Sequence, residues 1–383
     1  MARQRGPQPQ TGPKPEPGTR PKSGLTASVL TVVAALTVSI GALEAAVRVL
    51  DGVGFDPRNY VADRLSLLAS AYPSVYDPQL GYVPRPDYDG TANAWNTRVS
   101  IDAASLRRNA PDRPVPKPAA VVAVGDSYTF GDEVSDADTW PAQLEGLLGQ
   151  PVANGGVFGY GLDQAVLRAE RLVPEYRPWS LVVSFIYGDV RRTQLVQRTG
   201  VEKPYFQVID GQLVLRNVPP SPNRPRIEQM GLVRTVLGYS YLADWTARRL
   251  AVTDWWYAGG FPQVQAHDDG PQVACLLMRR LRALQDASSA RVLVVAQYIP
   301  RNFTTPEDPK SVEELSGTVR LLDCAAKAGL DVLDTLPALQ ARYRASPSGF
   351  LGQYFVQAHM SAAGNRLVAE QVADALARAH NGG

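Results

Sequence analysis

From residue 119 to the carboxyl end, short unbroken apolar runs alternate with segments whose apolar residues recur at helical spacing, and that rhythm restricts the fold more than any other feature. Apolar runs fall at 119–125, 151–154 and 180–187, with helical periodicity near 139–148 and 162–173. After an interruption at 194–265 the rhythm resumes: a helix at 271–287, the run Val292-Leu293-Val294-Val295-Ala296, a helix at 311–328, a run at 331–334 and a terminal helix at 361–379. Strands apolar on both faces need cover on both. Strands separated by helices of about 10–15 residues pair in parallel. An α/β fold on a parallel sheet is expected, with any site at the carboxyl ends of the strands.

Inside the interruption, Tyr205 to Leu215 reads as a hairpin, with Asp210-Gly211 supplying the positive φ angles of a tight turn. A helix with Leu232, Val233, Val236, Leu237 and Trp245 follows, and then Trp255-Trp256-Tyr257. Such aromatics usually pack an insertion onto its domain. The sharper reading is a lid or rim facing an acyl chain, a sugar ring or a bilayer surface.

The amino-terminal region obeys other rules. Residues 1–24 carry six prolines and no apolar run, the composition of a disordered tail. Residues 25–43 are 19 residues without a charge, enough as a helix to cross the ~30 Å hydrocarbon core. A cleaved signal peptide would have an apolar region of about 7–15 residues ending in small residues. Here the run is longer and leads into Glu44 and Arg48, so a retained anchor over 25–49 is expected. Arg3, Arg5, Lys14, Arg20 and Lys22 precede it, which keeps the tail cytoplasmic and sends the rest outside. Residues 50–116, rich in Pro, Asp and Tyr, read as a loop-like lead-in packed on a main domain at 117–378.

Composition removes some functions. Charged residues make up 20% of the chain, and 39 Lys+Arg against 37 Asp+Glu leave a formal charge of +2, so no nucleic-acid partner is expected. Cys275 and Cys324 are 49 positions apart, without the companions a structural zinc site needs; neither a metal nor a cofactor is expected. In an oxidising compartment they could pair, and as buried free thiols they would be equally natural.

Three segments carry chemistry. The strand at 121–124 runs into Gly125-Asp126-Ser127-Tyr128-Thr129-Phe130-Gly131, where glycines on either side of a serine allow a sharp turn that presents its hydroxyl. Taken alone, Ser127 could simply cap a turn. Asn154-Gly155-Gly156-Val157-Phe158-Gly159-Tyr160-Gly161 would let a backbone N–H approach a ligand, as an oxyanion hole requires. His359, in His359-Met360-Ser361-Ala362-Ala363-Gly364-Asn365 before the last helix, could reach Ser127 as its general base.

In this order on a parallel framework, the three segments resemble the SGNH (GDSL-type) hydrolase and acyltransferase superfamily, over residues 117–378. The membrane helix and the lead-in motifs Leu80-Gly81-Tyr82 and Ser105-Leu106-Arg107 look like its membrane-anchored bacterial branch. The resemblance implies a flavodoxin-like three-layer α/β/α fold, Ser127 as nucleophile, His359 as base, and the N–H groups of Ser127 and Gly156 as oxyanion donors. It further implies a substrate that is an acyl ester or acylated glycan, including O-acetyl groups of envelope polysaccharide. Two positions depart from the pattern. Gly188, in Tyr187-Gly188-Asp189, stands where the family has an oxyanion-donating Asn, with Tyr187, Arg191 and Arg192 nearby as substitutes. Gln357 stands where the family has the His-orienting Asp, and its amide oxygen could hold the imidazole tautomer. These departures motivate the competing expectation of a catalytically impaired glycan-binding or assembly protein.

Overall fold

A computed structural model describes residues 12, 23–55, 57–62, 73–92, 97–198, 201–222, 231–250, 255–256 and 263–381. The disordered tail expected at 1–24 lies, but for Gly12, Ser23 and Gly24, outside the described residues.

The chain opens with α1 (Ser23–Leu50), whose stretch Ser28–Leu50 is apolar enough to cross a membrane; its residues 28–43 are exposed, while Val47 and Arg48 near its end are buried. The lead-in is more ordered than its composition suggests. It forms two antiparallel hairpins, β1 (Ser74–Asp77) with β2 (Gly81–Pro84), and β3 (Asp89–Ala92) with β4 (Thr97–Ser100). Strands of four residues carry too few positions for a periodic signal, and their register comes from pairing rather than from pattern.

The main sheet uses β5 (Val121–Val124), β6 (Val152–Asn154), β7 (Ser180–Phe185), β13 (Arg291–Ala296) and β14 (Asp331–Asp334). All pairs are parallel and the order is β6-β5-β7-β13-β14, the flavodoxin-like arrangement. Between the strands run α2 (Ser127–Phe130), α3 (Trp140–Leu148), α4 (Leu162–Tyr176) and, after β7, the short α5 (Tyr187–Arg192). Every residue of β5, β6 and β7 is buried, and each fully buried Val or Leu stabilises by roughly 1.5–3 kcal/mol.

The insertion holds β8 (Leu195–Arg198), β9 (Val201–Glu202), the hairpin β10 (Tyr205–Ile209) with β11 (Gln212–Arg216), α6 (Gly231–Leu237), α7 (Tyr241–Arg249) and β12 (Val264–Gln265). Asp210 and Gly211 take φ of 50° and 75° at the hairpin turn, as the motif requires. Of the expected aromatic triplet, Trp255 and Trp256 are described and Tyr257 is not. The second half of the main domain continues with α8 (Gly270–Ala287), α9 (Arg301–Thr304), α10 (Pro309–Lys327), α11 (Leu336–Ala345), α12 (Pro347–Tyr354), the two-residue strands β15 (Phe355–Val356) and β16 (His359–Met360), and α13 (Ala362–Asn381). Cys275 of α8 and Cys324 of α10 are joined as a disulfide, with Cα atoms 5.3 Å apart.

Two buried arginines fasten the lead-in to the main domain. Arg168 of α4 donates to the carbonyls of Gly155 and Ser105, both at 2.6 Å. Arg107, fully buried, pairs with Asp136 at 3.0 Å and donates to the carbonyls of Phe130, Gly131 and Val134. Its own N–H bonds Asn154 O at the end of β6, so the lead-in borders both loops that flank Ser127.

Candidate active site

Ser127 is placed by what surrounds the end of β5. A Cβ at Gly125 would run into Thr129 Oγ1 and the Ser184 carbonyl of β7, so only glycine lets the chain turn there. The Asp126 carboxylate accepts from Tyr128 N at 2.9 Å and starts α2, leaving Ser127 as its first residue at the carboxyl edge of the sheet. No protein acceptor takes the Ser127 backbone N–H among the described residues.

His359 arrives from the far end of the chain, on the β15–β16 hairpin opposite Val356. Tyr128 donates from its hydroxyl to Ala358 O at 2.6 Å, and its ring centroid is 5.2 Å from the imidazole. Asn365 donates from Nδ2 to the carbonyls of Met360 and Ser361, and its Oδ1 accepts from Trp140 N at 2.9 Å. Held from both sides, the imidazole puts Nε2 3.0 Å from Ser127 Oγ. The structure therefore brings Ser127 and His359, 232 positions apart in sequence, into hydrogen-bond reach.

The group on the other imidazole nitrogen is one that sequence reasoning missed. Glu133 Oε1 lies 3.1 Å from His359 Nδ1, and Glu133 Oε2 accepts from His359 N at 3.3 Å. The Nδ1 contact is an ion-pair approach rather than an aligned hydrogen bond: Nδ1 makes no bond of good angular geometry. Gly131 ends α2 at φ 91°, and Glu133 itself takes φ 71°, a conformation uncommon for a residue with a side chain. Arg107 holds that loop by its carbonyls on both sides of Glu133. Gln357 takes no part in orienting the imidazole. It sits exposed at the corner of the β15–β16 turn with φ 49°, and makes no hydrogen bond with the His359 ring among the described residues. The only available sequence signal was a pair of carboxylates, Asp132-Glu133, one short helix beyond the serine.

Charge tunes this flank. Burial works against a charged His359, but the Glu133 and Asp132 carboxylates outweigh it and raise its pKa above 6.5. Asp132, whose Oδ2 lies 3.9 Å from Nε2, is itself pushed up to about 7, chiefly by burial, with the Asp126 and Glu133 charges adding.

The oxyanion flank is leaner. Gly156 abuts α2 so closely that a Cβ would overlap Phe130 N and Thr129, but its N–H donates to Asn154 Oδ1 at 3.1 Å. Gly188, in the first turn of α5, contributes no side chain, and a Cβ there would meet only Ile186 at 3.4 Å and Arg192 at 3.8 Å. The nearby arginines are engaged elsewhere. Arg191 pairs with Glu313 and Glu314, and Arg192 bonds Asp189 at 2.6 Å, Tyr160 O at 3.0 Å and Asp126 at 3.3 Å. The Tyr187 ring occupies the space that Gly317 of α10, lacking a Cβ, leaves for it.

Ser127, His359, Asp132 and Gly188 border one cavity of about 670 Å³. Aromatic walls come from Tyr82, Phe158, Tyr187 and Tyr298, and basic ones from Arg191, Arg198 and Arg301. A void of this size, mostly apolar with a few convergent polar groups, suits a small organic ligand or part of a larger one.

No protein-family model matches the chain, and no curated protein matches its sequence. Among solved structures, the chain is similar to LAE5, an alpha/beta hydrolase enzyme from the metagenome of Lake Arreo, Spain, at 13% identity and a TM-score of 0.40, over 68% of this chain and 95% of that one. It is similar to Axe2, an acetylxylan esterase from Geobacillus stearothermophilus, at 12% identity and a TM-score of 0.39, over 69% and 96%. TesA matches at 15% identity and a TM-score of 0.37, over 67% and 97%. At such identities the likeness says nothing of the site.

Proposed function

We propose that this chain is a serine esterase or O-acyltransferase of the SGNH (GDSL-type) superfamily, anchored in a membrane by α1 with its main domain on the extracytoplasmic side. The observation that carries the reading is the 3.0 Å contact between Ser127 Oγ and His359 Nε2, backed by a carboxylate on Nδ1. With the imidazole proton on Nδ1 facing Glu133, Nε2 is the acceptor for the serine hydroxyl. Ser127 Oγ attacks the ester carbonyl carbon and its proton passes to Nε2. The tetrahedral oxyanion collapses, and the leaving alcohol takes that proton. Water or a second hydroxyl, deprotonated by the same imidazole, then releases the acyl group from Ser127.

The N–H of Ser127 is the readiest oxyanion donor, and Gly156 joins it by sharing the proton it gives Asn154. The aromatic and basic cavity walls favour an acylated sugar over a simple lipid, and O-acetylated envelope polysaccharide is the substrate class we assign. The Cys275–Cys324 disulfide fits an oxidising compartment, in agreement with the orientation that the basic tail dictates.

A serine-directed fluorophosphonate tests the reading on the full chain in detergent. Labelling should vanish in Ser127→Ala and weaken in His359→Ala. An unlabelled wild-type chain would sink the enzyme and leave the second reading, a glycan-binding or assembly protein, which Gly188 and the engaged Gly156 N–H favour.

A further inference from the structure

While Arg198 and Val201 of the insertion border the cavity, its helical part is bolted to the end of the membrane helix. Glu44, just beyond the uncharged run of α1, accepts from Ser240 Oγ, Tyr241 N and Leu242 N at 2.7–2.8 Å, and so caps the first turn of α7. Arg48, one turn on, bonds Glu44 at 2.5 Å and Gly54 O at 2.7 Å among the rings of Phe55, Tyr60 and Tyr241. Tyr241 donates to Asp51 at 2.6 Å, and Tyr60 N bonds Gly238 O at 2.8 Å.

This clamp fixes the height of α6. Two residues separate its end at Leu237 from Ser240, so that end lies within about 10 Å of Ser240, whose hydroxyl bonds Glu44, and the helix is itself only about 10 Å long. The headgroup zones together add roughly 10–15 Å to the ~30 Å hydrocarbon core. A helix tethered this close to the emerging end of a spanning helix is within reach of the headgroup zone.

Its surface matches that position. No residue of α6 is buried, and Leu232, Val233, Val236 and Leu237 are 80%, 54%, 60% and 46% exposed on one side, followed by Tyr239 at 56%. Trp255 is half exposed beside Arg234. An aliphatic stripe with Tyr, Trp and Arg at its edge is the composition of an interfacial helix.

We infer that α6, with Tyr239 and Trp255, lies in the bilayer surface beside the emergence of α1 and gives the main domain a second membrane contact. The inference rests on α1 spanning the membrane, and not on esterase activity. The test uses the full chain in phosphatidylcholine vesicles, with Val236→Cys labelled by an environment-sensitive dye; the native cysteines are already paired. Leu36→Cys in α1 and Lys310→Cys, at an exposed position of α10, serve as references. The dye at 236 should be blue-shifted, and quenched about twofold more by nitroxides near the headgroup than by deep ones, while the dye at 36 shows the reverse order and that at 310 is unquenched. Adding Leu232→Glu should weaken the quenching at 236. Quenching at 36 without quenching at 236 overturns the inference and leaves the anchor standing; no quenching at either site overturns both. Protection of the dye at 236 that grows with protein density, without nitroxide quenching, would mean a second copy covers α6, and also overturns it.

Discussion

On the imidazole flank of Ser127, the group missing from its expected place is supplied from elsewhere in the chain, whereas on the oxyanion flank the place of the missing donor stays open. Gln357 cannot do the work of an acid, and Glu133 meets Nδ1 instead, out of the loop after α2. Gly188 has no amide deputy: Arg191 and Arg192 are tied to carboxylates, and Tyr187 borders the cavity with its ring packed over Gly317. The difference follows from what each job demands. A carboxylate can approach Nδ1 along many paths, because it need only fix a tautomer and balance a charge. An oxyanion donor must aim a hydrogen at one point in space, so few chain positions can replace another.

The largest expected effect would break the comparison on its stronger side. Glu133→Gln keeps the shape of the side chain and removes its charge, and should lower kcat by about 10²–10⁴ with KM little changed. Because Glu133 is among the groups that raise the His359 pKa, the acidic limb of the pH–rate profile should also move to lower pH. Ester turnover by the full chain from pH 5 to 9 checks both. A variant as active as the wild type would return the orienting role to some other group.

Gly188→Asn probes the weaker side. A Cβ there would meet nothing closer than 3.4 Å, and since losing such a donor costs about 10²–10³ in rate, restoring one should raise kcat by up to about 10². Unchanged kcat in a variant that still folds would mean that backbone N–H groups already saturate the oxyanion, and that this flank is not deficient.

How far these features could be read in the sequence depends on whether their cause is local. The five sheet strands were legible because a strand buried on both faces must be apolar throughout, and β5, β7 and β13 are nearly so. The lead-in hairpins were not, since four residues in a Pro-rich stretch carry no period. Ser127, Gly156 and His359 announced themselves by motif. Glu133 did not, because its role depends on a left-handed backbone and on Arg107 fastening the loop from 26 positions upstream, neither of which leaves a spacing to recognise. The seat of α7 on Glu44 is equally nonlocal, joining groups almost 200 positions apart.

Asp132 offers the smallest effect and the sharpest distinction, because it competes with Glu133 for the imidazole. Its carboxylate is 3.9 Å from Nε2, where Glu133 is 3.1 Å from Nδ1, and it borders the same cavity as Ser127 and Gly188. A charge there would oppose a developing oxyanion, but burial and the Asp126 and Glu133 charges hold its pKa at about 7. The folded chain thus keeps a proton that the unfolded chain, with an ordinary value of 3.8, has already lost. Stability from this group is present below pH 3.8, falls as pH rises toward 7, and stays lost above. Asp132→Asn should cancel that loss: its melting temperature should exceed that of the wild type by a few degrees at pH 8, at about 2–4 °C per kcal/mol, and the gap should close toward pH 4. His359 and Arg107 face the same carboxylate, so Asp132→Asn should also lower the His359 pKa slightly, while kcat at pH 8 stays within a few-fold of wild type. Loss of activity as deep as that of Glu133→Gln would make Asp132 the functional acid and reduce Glu133 to a brace of the hairpin.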